Sequence, residues 1–177
     1  MIGSQGTLLR FQVAIETDIT HLDAGAFAAF VESTYADPRG WTSGGLWRFQ
    51  RVGAGQPYDF VVELVTPGTR AAVCGDVHDH YTNCRNGPHV VINMDRWMTS
   101  VPNYGASLED YRHYAINHET GHRLGDGHEL CPGPGQPAPL MQQQTLGLHG
   151  CTAYAWPYRD GRRYRGQPGQ YDDPVPV

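Results

Sequence analysis

The eleven residues His118-Glu119-Thr120-Gly121-His122-Arg123-Leu124-Gly125-Asp126-Gly127-His128 carry three histidines, a glutamate and a glycine at H-E-x-x-H-x-x-G-x-x-H spacing. On a helix, His118 and His122 leave the same face, because residues four apart are surface neighbours. Each imidazole can give one nitrogen to a metal at about 2.0–2.1 Å. Glu119 is one position on, so it points beside the metal rather than at it. There it can accept a proton from a zinc-activated water and act as general base. Gly125 permits a sharp turn, since glycine enters the left-handed backbone region without steric penalty. That turn can bring His128 back as a third ligand. Three protein ligands leave a fourth position open, as in a catalytic rather than a structural zinc site.

This extended motif resembles the signature of the metzincin zinc peptidases. The resemblance implies His118, His122 and His128 as ligands, Glu119 as the base and Gly125 at the turn. It also implies a tight turn with a methionine beneath the metal, and Met141 in Pro139-Leu140-Met141-Gln142-Gln143 matches that role. Some metzincins carry a tyrosine two positions after the methionine; Gln143 stands there instead. Further stretches are similar to an actinobacterial family of secreted domains of unknown function. These are Ala36-Asp37-Pro38-Arg39-Gly40-Trp41, Tyr111-Arg112-His113-Tyr114, Cys131-Pro132-Gly133-Pro134-Gly135 and Met141-Gln142-Gln143-Gln144. That likeness implies lineage and export but names no substrate. The metzincin resemblance further implies that the strand through Val90-Val91-Ile92 is a sheet edge that pairs with an extended substrate.

The elements that must hold these residues are partly legible. Thr7 to Ile15 alternates and is rich in strand formers. Asp23 opens a helix with Phe27, Phe30 and Val31 on one face, closed by Asp37-Pro38-Arg39-Gly40. Leu46 to Val52 and Asp59 to Val65 read as strands, the latter closed by Pro67-Gly68. His89 to Met94 reads as another. Ser107 caps the motif helix, with Glu109 and Asp110 in its first turn. The expected architecture is therefore α+β and metzincin-like. It is a mixed, mostly four- or five-stranded sheet with two helices, above a small irregular C-terminal part carrying the methionine turn. Residues 1–177 are expected to form one metallopeptidase domain, with 1–125 above and 126–177 below the active-site cleft. From about Tyr158 the chain reads as a wrapping arm or a loose tail.

The chain of 177 residues is long enough for one real core, and its net charge is −5, from 13 basic and 18 acidic residues. All the basic residues are arginine, and no basic stripe suggests a nucleic-acid partner. No apolar run is long enough to cross a bilayer, and no export signal is legible at Met1-Ile2-Gly3-Ser4-Gln5. The four cysteines allow three pairings, of which Cys74–Cys84 with Cys131–Cys151 is the simplest. Paired cysteines imply an oxidising compartment, so a secreted or cell-surface monomer is expected.

His78-Asp79-His80 is a second metal candidate, read more simply as a solvated loop. His149 is a candidate lining residue, and Asp126 or His113 could orient a ligand from behind. The functional expectation is a secreted zinc endopeptidase acting on peptide or protein. The rivals are a non-catalytic zinc-stabilised domain that binds peptide or cell wall, and a zinc amidase of peptidoglycan cross-links. Zinc is the one cofactor the motif names; a calcium requirement stays open.

Overall fold

A computed structural model describes residues 1–176. Strands β1 (Thr7–Ile15), β2 (Trp47–Arg51), β3 (Phe60–Val65), β4 (Cys84–Asn86) and β5 (His89–Asn93) form one sheet in the order β2-β1-β3-β5-β4. All neighbours are parallel except β4, which runs antiparallel to β5. The chain is α+β with a mixed five-stranded sheet. β3 reads Phe-Val-Val-Glu-Leu-Val because it lies at the centre, where both faces are covered.

The register assigns the faces. Val62 pairs with Val90 and Leu64 with Ile92, and all four side chains enter the main core. There they meet α1 (Ala24–Ala36) and α4 (Leu108–Leu124). Phe11, Tyr35, Phe49 and Phe60 form an aromatic knot at its middle, with Phe11 and Tyr35 edge to face at 5.1 Å. The Tyr35 hydroxyl meets Thr120 Oγ1 at 2.8 Å, so this knot is tied directly to the motif helix. On the opposite face lies α2 (Pro67–Cys74), joined to β4 by the Cys74–Cys84 disulfide and by Asn86 Nδ2 donating to Val73 O at 2.7 Å.

Three sequence expectations need correction. Pro67-Gly68 does not simply close a strand, because Thr66 caps α2 and Pro67 occupies its first turn. Proline is tolerated there because that N–H has no helical partner anyway. Asn93 likewise caps a further helix, α3 (Met94–Thr99), by accepting from Asp95 N at 3.0 Å. Among the described residues there are four α-helices where two were expected. The strand through Val90-Val91-Ile92 is not the sheet edge. β4 lies outside it, and β4 is the edge.

Beyond Leu124 the chain is mostly loops, stitched by backbone bonds such as Ala138 N to Thr152 O at 2.8 Å. Cys131 pairs with Cys151, their Cα atoms 5.9 Å apart. Closing that loop stabilises by about 3 kcal/mol in the chain-entropy description. The terminal stretch forms a small hairpin, β6 (Tyr158–Arg159) with β7 (Arg162–Arg163), and then an arm. Leu130 N donates to Gln167 O at 2.8 Å and Gly169 N to His128 O at 3.0 Å, so the arm is bonded to the segment after the motif helix.

Candidate metal centre

The motif helix begins with a reciprocal cap. Ser107 Oγ accepts from Asp110 N at 3.0 Å, and Asp110 Oδ2 accepts from Ser107 N at 3.2 Å. It ends at Gly125, whose φ of 101° is open to glycine and strained for other residues. Asp126 N then donates back to Gly121 O at 2.9 Å, and the reversal carries His128 toward the helix.

Three imidazoles converge. His122 Nε2 lies 3.2 Å from His118 Nε2 and 3.0 Å from His128 Nε2. Each ring's other nitrogen is already engaged. His118 Nδ1 faces Leu140 O at 2.8 Å, His122 Nδ1 faces Asp126 O at 2.9 Å, and His128 Nδ1 faces Gln170 Oε1 at 2.8 Å. These oxygens only accept, so each Nδ1 carries the proton and each Nε2 presents a lone pair. Burial and the neighbouring rings hold His118 well below the usual histidine range and His122 down to about 4. Three neutral nitrogens aimed at one point repel unless a cation lies between them. A tetrahedral metal with bonds of about 2.0–2.1 Å would separate two such nitrogens by about 3.3 Å. The donor set therefore fits a zinc-type cation, and these are the residues that could hold one. Among the described residues no other trio of histidine, cysteine and carboxylate groups is gathered in this way.

Glu119 is 6% exposed and lines the same cleft as the three histidines. Burial pushes its carboxyl up to about 8, against the pull of Arg70 and Arg85. The cleft encloses about 400 Å³. Its lining includes Arg70, Asp79 and Arg85, and also Gln143, Thr145, Leu146 and, from the terminal arm, Val175. Arg70 is buried and held by Asp79 Oδ2 and Thr82 Oγ1, each at 2.7 Å.

Met141 is fully buried beneath α4. A Cβ at Gly121 would run into Met141 Sδ and would lie 2.8 Å from Trp41 Cζ2. The glycine inside the motif thus lets the helix settle onto Met141 and Trp41. Leu140, next to Met141, supplies the carbonyl that orients His118.

The other candidates fall outside the cluster. Asp126 does orient His122, but through its backbone carbonyl; its carboxylate pairs with Arg163 and Arg165. His113 meets Thr34 Oγ1 at 2.8 Å and stacks on Phe30, away from the ligand nitrogens. Asp79 is spent on Arg70, and His80 Nε2 faces Val77 O at 3.2 Å, so the 78–80 loop assembles no metal set. His149 pairs with Asp173 at 2.7 Å and stacks on Tyr171, so it belongs to the arm rather than the cleft.

Gln170 escapes sequence reasoning, since it lies 42 residues beyond His128 in a polar tail. Gln170→Leu should keep the fold and weaken zinc binding by about 10-fold or more, the effect expected for losing an outer partner of a ligand. A competition titration with a chelator checks this; an unchanged affinity would remove Gln170 from the site.

No curated protein and no solved structure matches the chain. With residues 1–160 matched, the whole of the histidine cluster included, the chain belongs to the family described as protein of unknown function (DUF3152).

Proposed function

We propose that the protein is a zinc-dependent endopeptidase of the metzincin type. One observation carries the reading: three imidazoles with their outer nitrogens satisfied turn free lone pairs to one point, beside a buried carboxylate in an open cleft. Zinc, when bound, supplies a Lewis acid that lowers the pKa of water toward about 7 and polarises a carbonyl. His118, His122 and His128 hold it and keep their own protons on Nδ1. Glu119 takes the proton of the attacking water and passes it to the leaving amine. β4, as the free edge, offers backbone groups to an extended peptide. The turn at Met141 supplies the floor under the ligands, the role of the methionine turn in metzincins.

The two disulfides are compatible with an oxidising, extracellular setting, and no helix is long and apolar enough to cross a membrane. A non-catalytic zinc-stabilised binding domain is the runner-up, but it would have no use for Glu119 in the cleft. A zinc amidase of cell-wall cross-links would share the chemistry. Zinc-loaded protein should cut a panel of unfolded proteins, lose that activity to a chelator and regain it with zinc. Cleavage of purified cell wall alone would favour the amidase. No hydrolysis of either by fully loaded protein would leave the binding domain.

A further inference from the structure

Arg85 occupies the middle of the edge strand β4. Successive side chains of a strand alternate between faces. Cys84 and Asn86 engage α2, so Arg85 must project from the other face. The register agrees, because Arg85 pairs with Val90, whose side chain enters the core beneath α4. The same face of the edge strand therefore carries Arg85 and overlooks the motif helix, and Arg85 lines the cleft with Glu119 and the three histidines.

An exposed arginine is ordinarily a solvated one. Arg85 differs in its company. The arginine ion pairs among the described residues involve Arg39, Arg51, Arg70, Arg159, Arg163 and Arg165, and never Arg85. Asp79 in the same cleft is neutralised by Arg70. Asp76 also lines the cleft, but it accepts from the backbone N–H of His78 and lies outside ion-pair distance of Arg85. Gln143, Thr145 and Leu146, which also line the cleft, carry no charge, and Glu119 lies outside ion-pair distance of Arg85. Among the described residues the cleft thus keeps one guanidinium without an ion-pair partner, on a chain whose net charge is −5. A guanidinium presents a planar fork of donors suited to a carboxylate.

We propose that Arg85 seats a carboxylate of the substrate, so that the cleft selects peptides with an acidic side chain or a free C-terminal carboxylate close to the bond that is cut. This rests on the hydrolytic reading of the site for its catalytic half only; the carboxylate contact is a binding claim. The disulfide at Cys84 anchors the residue next to Arg85 and so fixes where that carboxylate must lie.

Three peptide sets test it on the zinc-loaded chain: internal glutamate with an amidated end, glutamine with a free C-terminus, and glutamine with an amidated end. Both kcat/KM and Kd are read, for wild type and for Arg85→Gln, Arg85→Lys and Arg85→Glu. Wild type should prefer one carboxylate set over the neutral set by about tenfold, the scale of one charge-assisted hydrogen bond. The set preferred identifies the source of the carboxylate. Arg85→Gln should erase the ratio, Arg85→Lys should keep part of it, and Arg85→Glu should reverse it in favour of the neutral set. A wild-type ratio near one, or a ratio unchanged in Arg85→Gln, overturns the proposal while cleavage itself upholds the hydrolytic reading. Tighter Kd for carboxylate peptides without any cleavage upholds Arg85 and overturns hydrolysis. Neither cleavage nor preferential binding overturns both.

Discussion

Glu119→Gln is expected to keep the fold and the zinc and to lose at least about 10²-fold in turnover, the lower end of what a general base contributes. The side chain lines the cleft with His118, His122 and His128 and is not one of that trio. Glutamine conserves its shape and removes its basicity, so a pure packing role would leave turnover nearly intact. Parallel measurement of zinc content and kcat separates the two outcomes. Near-normal turnover with zinc retained would strike Glu119 from the mechanism.

The second large effect concerns the packing under the ligands. Met141→Ala should cost about 2–5 kcal/mol, because it removes a fully buried side chain beneath α4. Met141→Leu should cost less than about 1.5 kcal/mol, since the volume is nearly kept. Gly121→Ala should also destabilise, by about 1–3 kcal/mol, because its methyl group meets Met141 and Trp41. The two positions share one space, so the double variant Gly121→Ala, Met141→Ala should lose less than the two single losses added. Denaturant unfolding of the zinc-loaded proteins reads all four values. Strict additivity would mean that Gly121 and Met141 do not press on each other.

The gathering of the three histidines was the most legible part of the site, because helical spacing alone aligns His118 with His122 and because Gly125 announces the turn that returns His128. The strand β1 and the helix α1 were legible from their period and composition, and β3 from its run of strand-forming apolar residues. What escaped has physical causes. β4 is three residues long, and Cys84-Arg85-Asn86 has no apolar alternation, so only its pairing with β5 makes it a strand. That omission misplaced the sheet edge. α2 was hidden because Pro67-Gly68 serves as a stop signal in one context and as a first helical turn after Thr66 in another. α3 follows β5 without a turn, Asn93 being both strand end and helix cap. Gly121 stands inside the motif at a position the pattern leaves free, and its reason is a contact with Met141 and Trp41 that no local pattern encodes. Gln170 is the same case at longer range.

The central claim is that His118, His122 and His128 hold one zinc ion, and metal analysis of washed protein tests it most directly. Wild type beside His118→Ala, His122→Ala and His128→Ala should give about one zinc per chain for the wild type and a marked loss for each variant, because three ligands are the minimum of an open zinc site. Zinc-free wild type after loading, or variants that retain zinc as the wild type does, would contradict the account.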